Sequence, residues 1–206
     1  MFLIGCGAGF SGDRVDAAIP VVQSLRRAQA PAAIFFETLG ERTLALSQIR
    51  KQQDPKQGYE PLLADFISPV LHDCVQFNIP IVGNFGAANP PAAACLIQKI
   101  ANDLGITSIK IAVIEGDDIT SSLDIENTPI WEGDETILIN RANLISANVY
   151  LGAQTVSEAL KAGADVVVAG RLADPSLVLG PIMAHYDWAW DNWDVLAQLT
   201  LAGHLL

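Results

Sequence analysis

Short, nearly continuous apolar runs alternate along this chain with segments whose apolar residues recur at helical spacing. The runs Phe2–Gly5, Ala32–Glu37, Ile79–Asn84, Ile109–Glu115, Leu144–Tyr150 and Asp165–Gly170 predict six strands. Consecutive rather than alternating apolar positions are what a sheet covered on both faces requires. The intervening segments carry helix signals. Thr38-Leu39-Gly40-Glu41 and Thr155-Val156-Ser157-Glu158 have capping-box spacing, and Asp16 with Pro20 suits a helix start. Asn89-Pro90-Pro91 opens a helix that Gly105 ends, Asp174-Pro175 opens another, and Trp193–Leu206 reads as the last.

This β-α alternation predicts an α/β fold with a mainly parallel, Rossmann-like sheet flanked by helices and joined by right-handed crossovers. A partial (β/α) barrel fits the same alternation. Residues 1–206 read as a single α/β domain. Within it, 116–143 hold seven acidic residues against the single base Arg141 and show no helical period, which predicts an irregular acidic insertion. The tail Gly203-His204-Leu205-Leu206 stays apolar to its last residue, whereas chain ends are ordinarily polar and frayed, so the chain is expected to be the truncated N-terminal part of a longer protein.

Composition narrows the partners. Half of the 206 residues are apolar and 17% are charged, enough to bury a full core. A net charge of −11 repels nucleic acid and anionic membranes, so neither is expected as a partner. No apolar run reaches the roughly 18 residues of a membrane span, and Met1–Ile4 runs straight into a glycine loop with no leader pattern. Cys6, Cys74 and Cys95 are widely spaced and odd in number, as small core residues of a reducing, cytoplasmic compartment would be. His72 and His185 lie on apolar helical stretches and are expected to pack there.

Ligands of parallel α/β sheets bind outside the carboxyl ends of the strands. The polar residues of this chain gather at the predicted ends. The first loop, Gly5–Arg14, places Gly7, Gly9 and Gly12 in a GxGxxG pattern, with Asp13 and Arg14 behind it. Such glycines let backbone amides approach a pyrophosphate, and Glu37 at the end of the next strand would meet ribose hydroxyls. A tight connecting turn explains the same glycines. Glu37 follows an apolar run, where burial raises a carboxyl pKa and suits it to act as acid or base; a strand-end acid paired with Arg42 is the plainer reading. Thr38, Asn84, Asn89, Glu115, Asp117, Asn148 and Asp174 complete the candidate ligand-binding set, with Asn89 and Asp174 also reading as helix caps. Arg171 is placed to grip a carboxylate or phosphate, or to pair with Asp174 or Glu115. Glu115–Asp118 would suit a hard cation or form a solvated acidic turn; no metal ligand is assigned, and no cofactor.

Several strings together resemble one family. They are Ile4–Arg14, Phe36–Leu39 with Glu41–Thr43, Gly86–Pro90, Glu115–Asp118, Ala147–Ala153 and Gly170–Ser176. The chain resembles, over its whole length, the acyclic terpene utilisation AtuA family, a family of unassigned reaction. The resemblance implies a link to the breakdown of acyclic terpenes or of related branched acids carried on coenzyme A, and a longer full protein with a second glycine-rich stretch. The expected ligand is a small molecule, an acyl-CoA or a carboxylate, with Glu37 and Arg171 as the catalytic pair. Two rivals stand beside this reading: an NAD(P)-binding oxidoreductase-like domain, and a non-catalytic module that forms a homo-oligomer or associates with the missing C-terminal part.

Overall fold

The computed structural model describes residues 1–125, 127–129 and 143–206. Five strands form one sheet: β1 (Leu3–Ala8), β2 (Ala32–Phe36), β3 (Ile81–Gly83), β4 (Ile111–Ile114) and β5 (Val166–Ala169). Every pairing is parallel, in the order β1-β2-β3-β5-β4. The parallel α/β expectation therefore holds. The barrel alternative does not, because among the described residues β1 and β4 lie at opposite ends of the sheet and do not pair with each other.

Alternation along each strand divides the core into two layers. Ile34, Phe36, Ile81, Val166 and Val168 face one side. There they pack against α1 (Ala18–Ala28), α3 (Leu63–Ile67), α4 (Leu71–Gln76) and α5 (Pro90–Asp103). Phe35, Val82, Val167 and Ala169 face the other side, against α6 (Ala153–Lys161) and α7 (Ser176–Tyr186). Each central strand is buried on both faces, the physical reason for its unbroken apolar run. The helix α2 (Glu41–Gln53) belongs to neither layer. Through Leu39, Leu44, Ala87 and Ala88 it lies across the carboxyl edge of the sheet.

This order creates a topological switch point. The chain steps β1, β2, β3 and on to β4 with α1, α3, α4 and α5 on one face, then turns back to β5 through α6 on the other. The neighbours β3 and β5 thus send their following helices, α5 and α7, to opposite faces. Such a switch point is where open parallel sheets hold ligands.

Several local expectations are corrected. Leu144–Tyr150 is not a strand; Asn148 makes one isolated bridge with Asp118, and Leu151 one with Leu172. Its polar Asn148 is spent on a neighbouring carboxylate rather than on a ladder. Neither capping box forms as spaced. Gly40 precedes α2, with the Thr43 hydroxyl bonded back to it, and Thr38 is buried against Asn84 instead. Gly152 precedes α6, so Thr155 lies inside its first turn. Asp16 accepts from Arg14 rather than capping, and α1 begins at Ala18. Cys74 is buried, but Cys6 is half-buried and Cys95 exposed. His72 and His185 are exposed, the latter stacked on Phe2. Much of the acidic 116–143 segment lies outside the described residues. Among those described, no helix is long and apolar enough to cross a membrane. The last helix, α8 (Trp193–Leu205), is capped by Asn192 and buries none of its side chains.

Gly7 shows how tightly the edge of the sheet is built. It is the extra residue in the β1–β2 register, which shifts between Cys6 and Ala8. A Cβ there would stand 2.5 Å from the Phe36 ring. Gly7→Ala is expected to lower stability by roughly 1–3 kcal/mol through overpacking. Urea denaturation checks this, and an unchanged midpoint would mean the Phe36 ring yields freely.

Candidate functional site

The carboxyl ends of β2, β3 and β5 carry a connected set of buried polar groups. Backbone Glu37 N donates to Ala8 O as β2 ends, which fixes the turn from which the Glu37 side chain projects. One of its carboxylate oxygens accepts from the amide of Leu39 (3.1 Å), and the other accepts from the side-chain amide of Asn84. Asn84 is fully buried, and its oxygen accepts from the Thr38 amide at 2.8 Å. A single asparagine thereby joins the ends of β2 and β3 and orients the Glu37 carboxyl.

Burial raises the Glu37 pKa from 4.5 to about 7. The hydrogen bonds from Asn84 and Leu39 oppose the rise; the charge of Asp174 adds to it, and that of Arg171 works against it. A carboxyl held near neutrality in a partly buried site takes and gives protons under ordinary conditions. Cys6 stands nearby on β1. Burial, then the charge of Asp13, raise its thiol, with Glu37 contributing in the same direction, so the thiolate is disfavoured.

Arg171 follows β5 and is buried. Its Nη1 donates to Leu39 O (2.6 Å) and to Asp174 (2.9 Å). Its Nη2 donates to the Tyr150 hydroxyl (2.9 Å) and to Glu41 (3.1 Å), and the guanidinium carbon lies 4.2 Å from the Tyr150 ring centroid. The Arg171 backbone amide donates to Asp117 Oδ2 at 2.8 Å, which also accepts from Asn148 at 2.9 Å. Gly170 permits this approach, since a Cβ there would stand 2.6 Å from the Asp117 carboxylate. Glu37, Thr38, Asn84, Asp117, Asn148, Arg171 and Asp174 thus form one network, linked through the backbone of Leu39.

The remaining candidates have other hydrogen-bond partners or line neighbouring clefts. Asp13 accepts from the amides of Gly9 and Arg14, and Arg14 is exposed and paired with Asp16. The glycine loop thus holds a carboxylate of its own. Its helix opens at Ala18, six residues past Gly12, whereas the dinucleotide fingerprint sets a helix N-terminus at its last glycine. Asn89 caps α5 and grips the carbonyls of Pro55 and Gln57. Glu115 is exposed, on a cleft of about 200 Å³ shared with Lys51 and Asp117. Among the described residues no three His, Cys, Asp or Glu side chains converge as a metal site.

A second cleft, about 220 Å³, lies between the glycine loop and α2, lined by Ser11, Thr38, Thr43, Arg50 and Glu60. Glu60 is buried and accepts from the Ser11 hydroxyl at 2.6 Å. Sequence reasoning missed Glu60, because nothing at Gly58–Pro61 distinguishes it from a loop acid. It also missed Tyr150, although that residue sits within one of the family strings. A cleft of about 240 Å³ lined by Phe2, Pro31, Pro80 and His185 lies at the opposite end of the strands, away from these carboxylates.

The model of the family described as acyclic terpene utilisation family protein AtuA matches residues 2–206, and the chain belongs to that family. No curated protein and no solved structure matches the chain.

The raised Glu37 carboxyl ties stability to pH. The folded state holds this proton more tightly than the unfolded chain, so the group's contribution is full below pH 4.5 and is lost as pH rises to about 7. Between pH ~5 and ~8 the wild type is expected to lose roughly 1–3 kcal/mol more stability than Glu37→Gln. Denaturant midpoints of both proteins across that range decide it; parallel curves would show that the carboxyl titrates normally.

Proposed function

We propose that this AtuA-family chain is an enzyme, or the enzymatic part of one, acting on branched acyl-CoA or related branched carboxylates from acyclic terpene breakdown. The observation that carries this reading is the Glu37 carboxyl, held near neutral pKa and oriented by Asn84 and the Leu39 amide at the carboxyl ends of β2 and β3. Glu37 serves as the acid or base. Arg171 anchors the anionic end of the substrate, and Asp174 and Asp117 hold Arg171 in place. Thr38 and Asn84 fix the Glu37 turn. A proton moved to or from a carbon beside a thioester or carboxylate is the chemistry that such a carboxyl and cation pair supports.

The family itself supports the metabolic setting. The geometry of the glycine loop counts against the nicotinamide alternative, since Asp13 occupies the amide of Gly9 and the helix opens late. The partner-binding alternative draws its support from α8, whose Trp193, Leu201 and Leu205 are exposed.

A thermal-shift screen against isovaleryl-CoA, coenzyme A, NADH, NADPH and Mg²⁺ separates these readings. A ligand at ~100 times its Kd adds about 2.7 kcal/mol. A shift with isovaleryl-CoA supports the proposal, and one with NADH alone replaces it. On a turned-over substrate, Glu37→Gln is expected to cut kcat by at least ~100-fold while the fold persists. The wild-type kcat/KM should change near pH 7, rising if Glu37 is the base and falling if it is the acid. A flat profile removes Glu37 from the chemistry.

A further inference from the structure

The outer edge of Arg171 is already occupied, and by a carboxylate of the chain itself. Its side chain is only 7% exposed, whereas that of Glu41 is 79% exposed. The two nitrogens of the guanidinium serve different purposes. Nη1 points inward, to the Leu39 carbonyl and to Asp174. Nη2 and the Tyr150 hydroxyl converge on one oxygen, Glu41 Oε1. Two donors, one of them charged and stacked on the ring of the other, form a seat for a single carboxylate oxygen.

Glu41 reaches that seat from the solvent side. It is the first residue of α2, its carboxyl otherwise meets its own backbone amide, and its side chain is exposed. The hydrogen bond to Nη2 is the longest that Arg171 makes from its side chain. Tyr150 and Arg171 hold the Glu41 carboxyl below its ordinary pKa, so the occupant is an anion.

We infer that the Arg171–Tyr150 pair is a carboxylate-binding subsite in which Glu41 is an internal stand-in, displaced when the carboxylate of a small branched acid enters. This rests on the reading of Arg171 as the substrate anchor and names the seat, its second donor and its competitor. Entry requires only that Glu41 swing into solvent, while Leu39 and Asp174 keep the guanidinium in place. A monocarboxylate fits better than a phosphate dianion, because Asp174 and Glu37 stand near the same guanidinium.

The test is isovalerate binding, read by calorimetry, to full-length wild type, Glu41→Ala, Glu41→Gln and Glu41→Ala/Tyr150→Phe, with isovaleramide as the uncharged control. Both Glu41 variants are expected to bind isovalerate roughly tenfold tighter than wild type, the size of one displaced charge-assisted hydrogen bond. Isovaleramide should gain nothing, and Tyr150→Phe should cancel the gain. Equal binding by wild type and both Glu41 variants overturns the displacement but keeps Arg171 as an anchor, provided Arg171→Lys abolishes it. Binding by none of the folded proteins overturns seat and anchor together. Failure of the acid–base role of Glu37 would show in turnover and its pH profile, and not in the isovalerate affinities of the Glu41 variants.

Discussion

The carboxyl edge of this sheet depends on the burial of one cation. A guanidinium removed from water is tolerated only if its donors are met, and Arg171 meets them with groups from four separate segments. Leu39 belongs to the β2–α2 turn, Glu41 to α2, Tyr150 to the stretch before α6, and Asp174 to the turn before α7. These segments have no shared strand or helix to align them. The fork of the guanidinium aligns them, and its backbone amide is in turn fixed by Asp117 through the space that Gly170 leaves open. Removing Asp174, the inward carboxylate, would leave a buried charge short of a partner, which is costlier than the loss of an ordinary surface pair.

From that constraint follows the electrostatic character of the site. Arg171 draws the Glu37 carboxyl toward ionisation, while Asp174 and burial push it toward the acid. Burial is the largest of these influences, so the carboxyl comes to rest near neutrality rather than in the carboxylate range. The two groups thereby differ in charge state. Arg171 is a permanent cation, and Glu37 exchanges its proton near neutral pH. The chain gives up stability above neutral pH to keep Glu37 in this state, a cost that functional sites commonly bear.

The sheet was legible in the sequence because its central strands are buried on both faces, so each appears as an unbroken apolar run. Asn89-Pro90-Pro91 was equally plain, since a cap oxygen followed by residues without N–H groups has few other uses. Leu144–Tyr150 misled for a related reason. Its apolar residues imitate a strand, yet Ile145, Val149 and Tyr150 are exposed, and the segment is held by one isolated bridge and by hydrogen bonds to Asp117, Ile119 and Thr120 rather than by a ladder. The capping-box spacing at Thr38 was also misleading, because a buried Asn84 forty-six residues away claims the Thr38 amide. No local pattern announces a partner at that distance. Convergence of Glu37, Arg171 and Asp174 was foreseen from their shared place at strand ends, but the roles of Tyr150 and Glu41 were not. Both depend on which way a side chain turns once the loops have met.

The glycine loop shows why a motif needs its geometry. Gly7 is required by the Phe36 ring, and so has a reason to be glycine that involves no ligand. The amide that Gly9 would offer to a phosphate is held by Asp13. Phosphate cradles work because their amides are free and a helix dipole stands behind them; here the amide is taken and α1 begins farther along the chain. The loop also has a structural contact, in which Ser11 donates to Glu60 and so fastens the first loop to the segment before α3. At the β3–β5 switch point, by contrast, the groups that converge are a neutral-range carboxyl and a buried cation paired with carboxylates of the chain itself. An anion bound on Arg171 would lie within the field of Glu37, and a proton moved by Glu37 would come from or go to the part of the ligand next to that anion. The same four-segment clamp that stabilises the fold thus fixes, through Leu39, where Arg171 stands relative to Glu37.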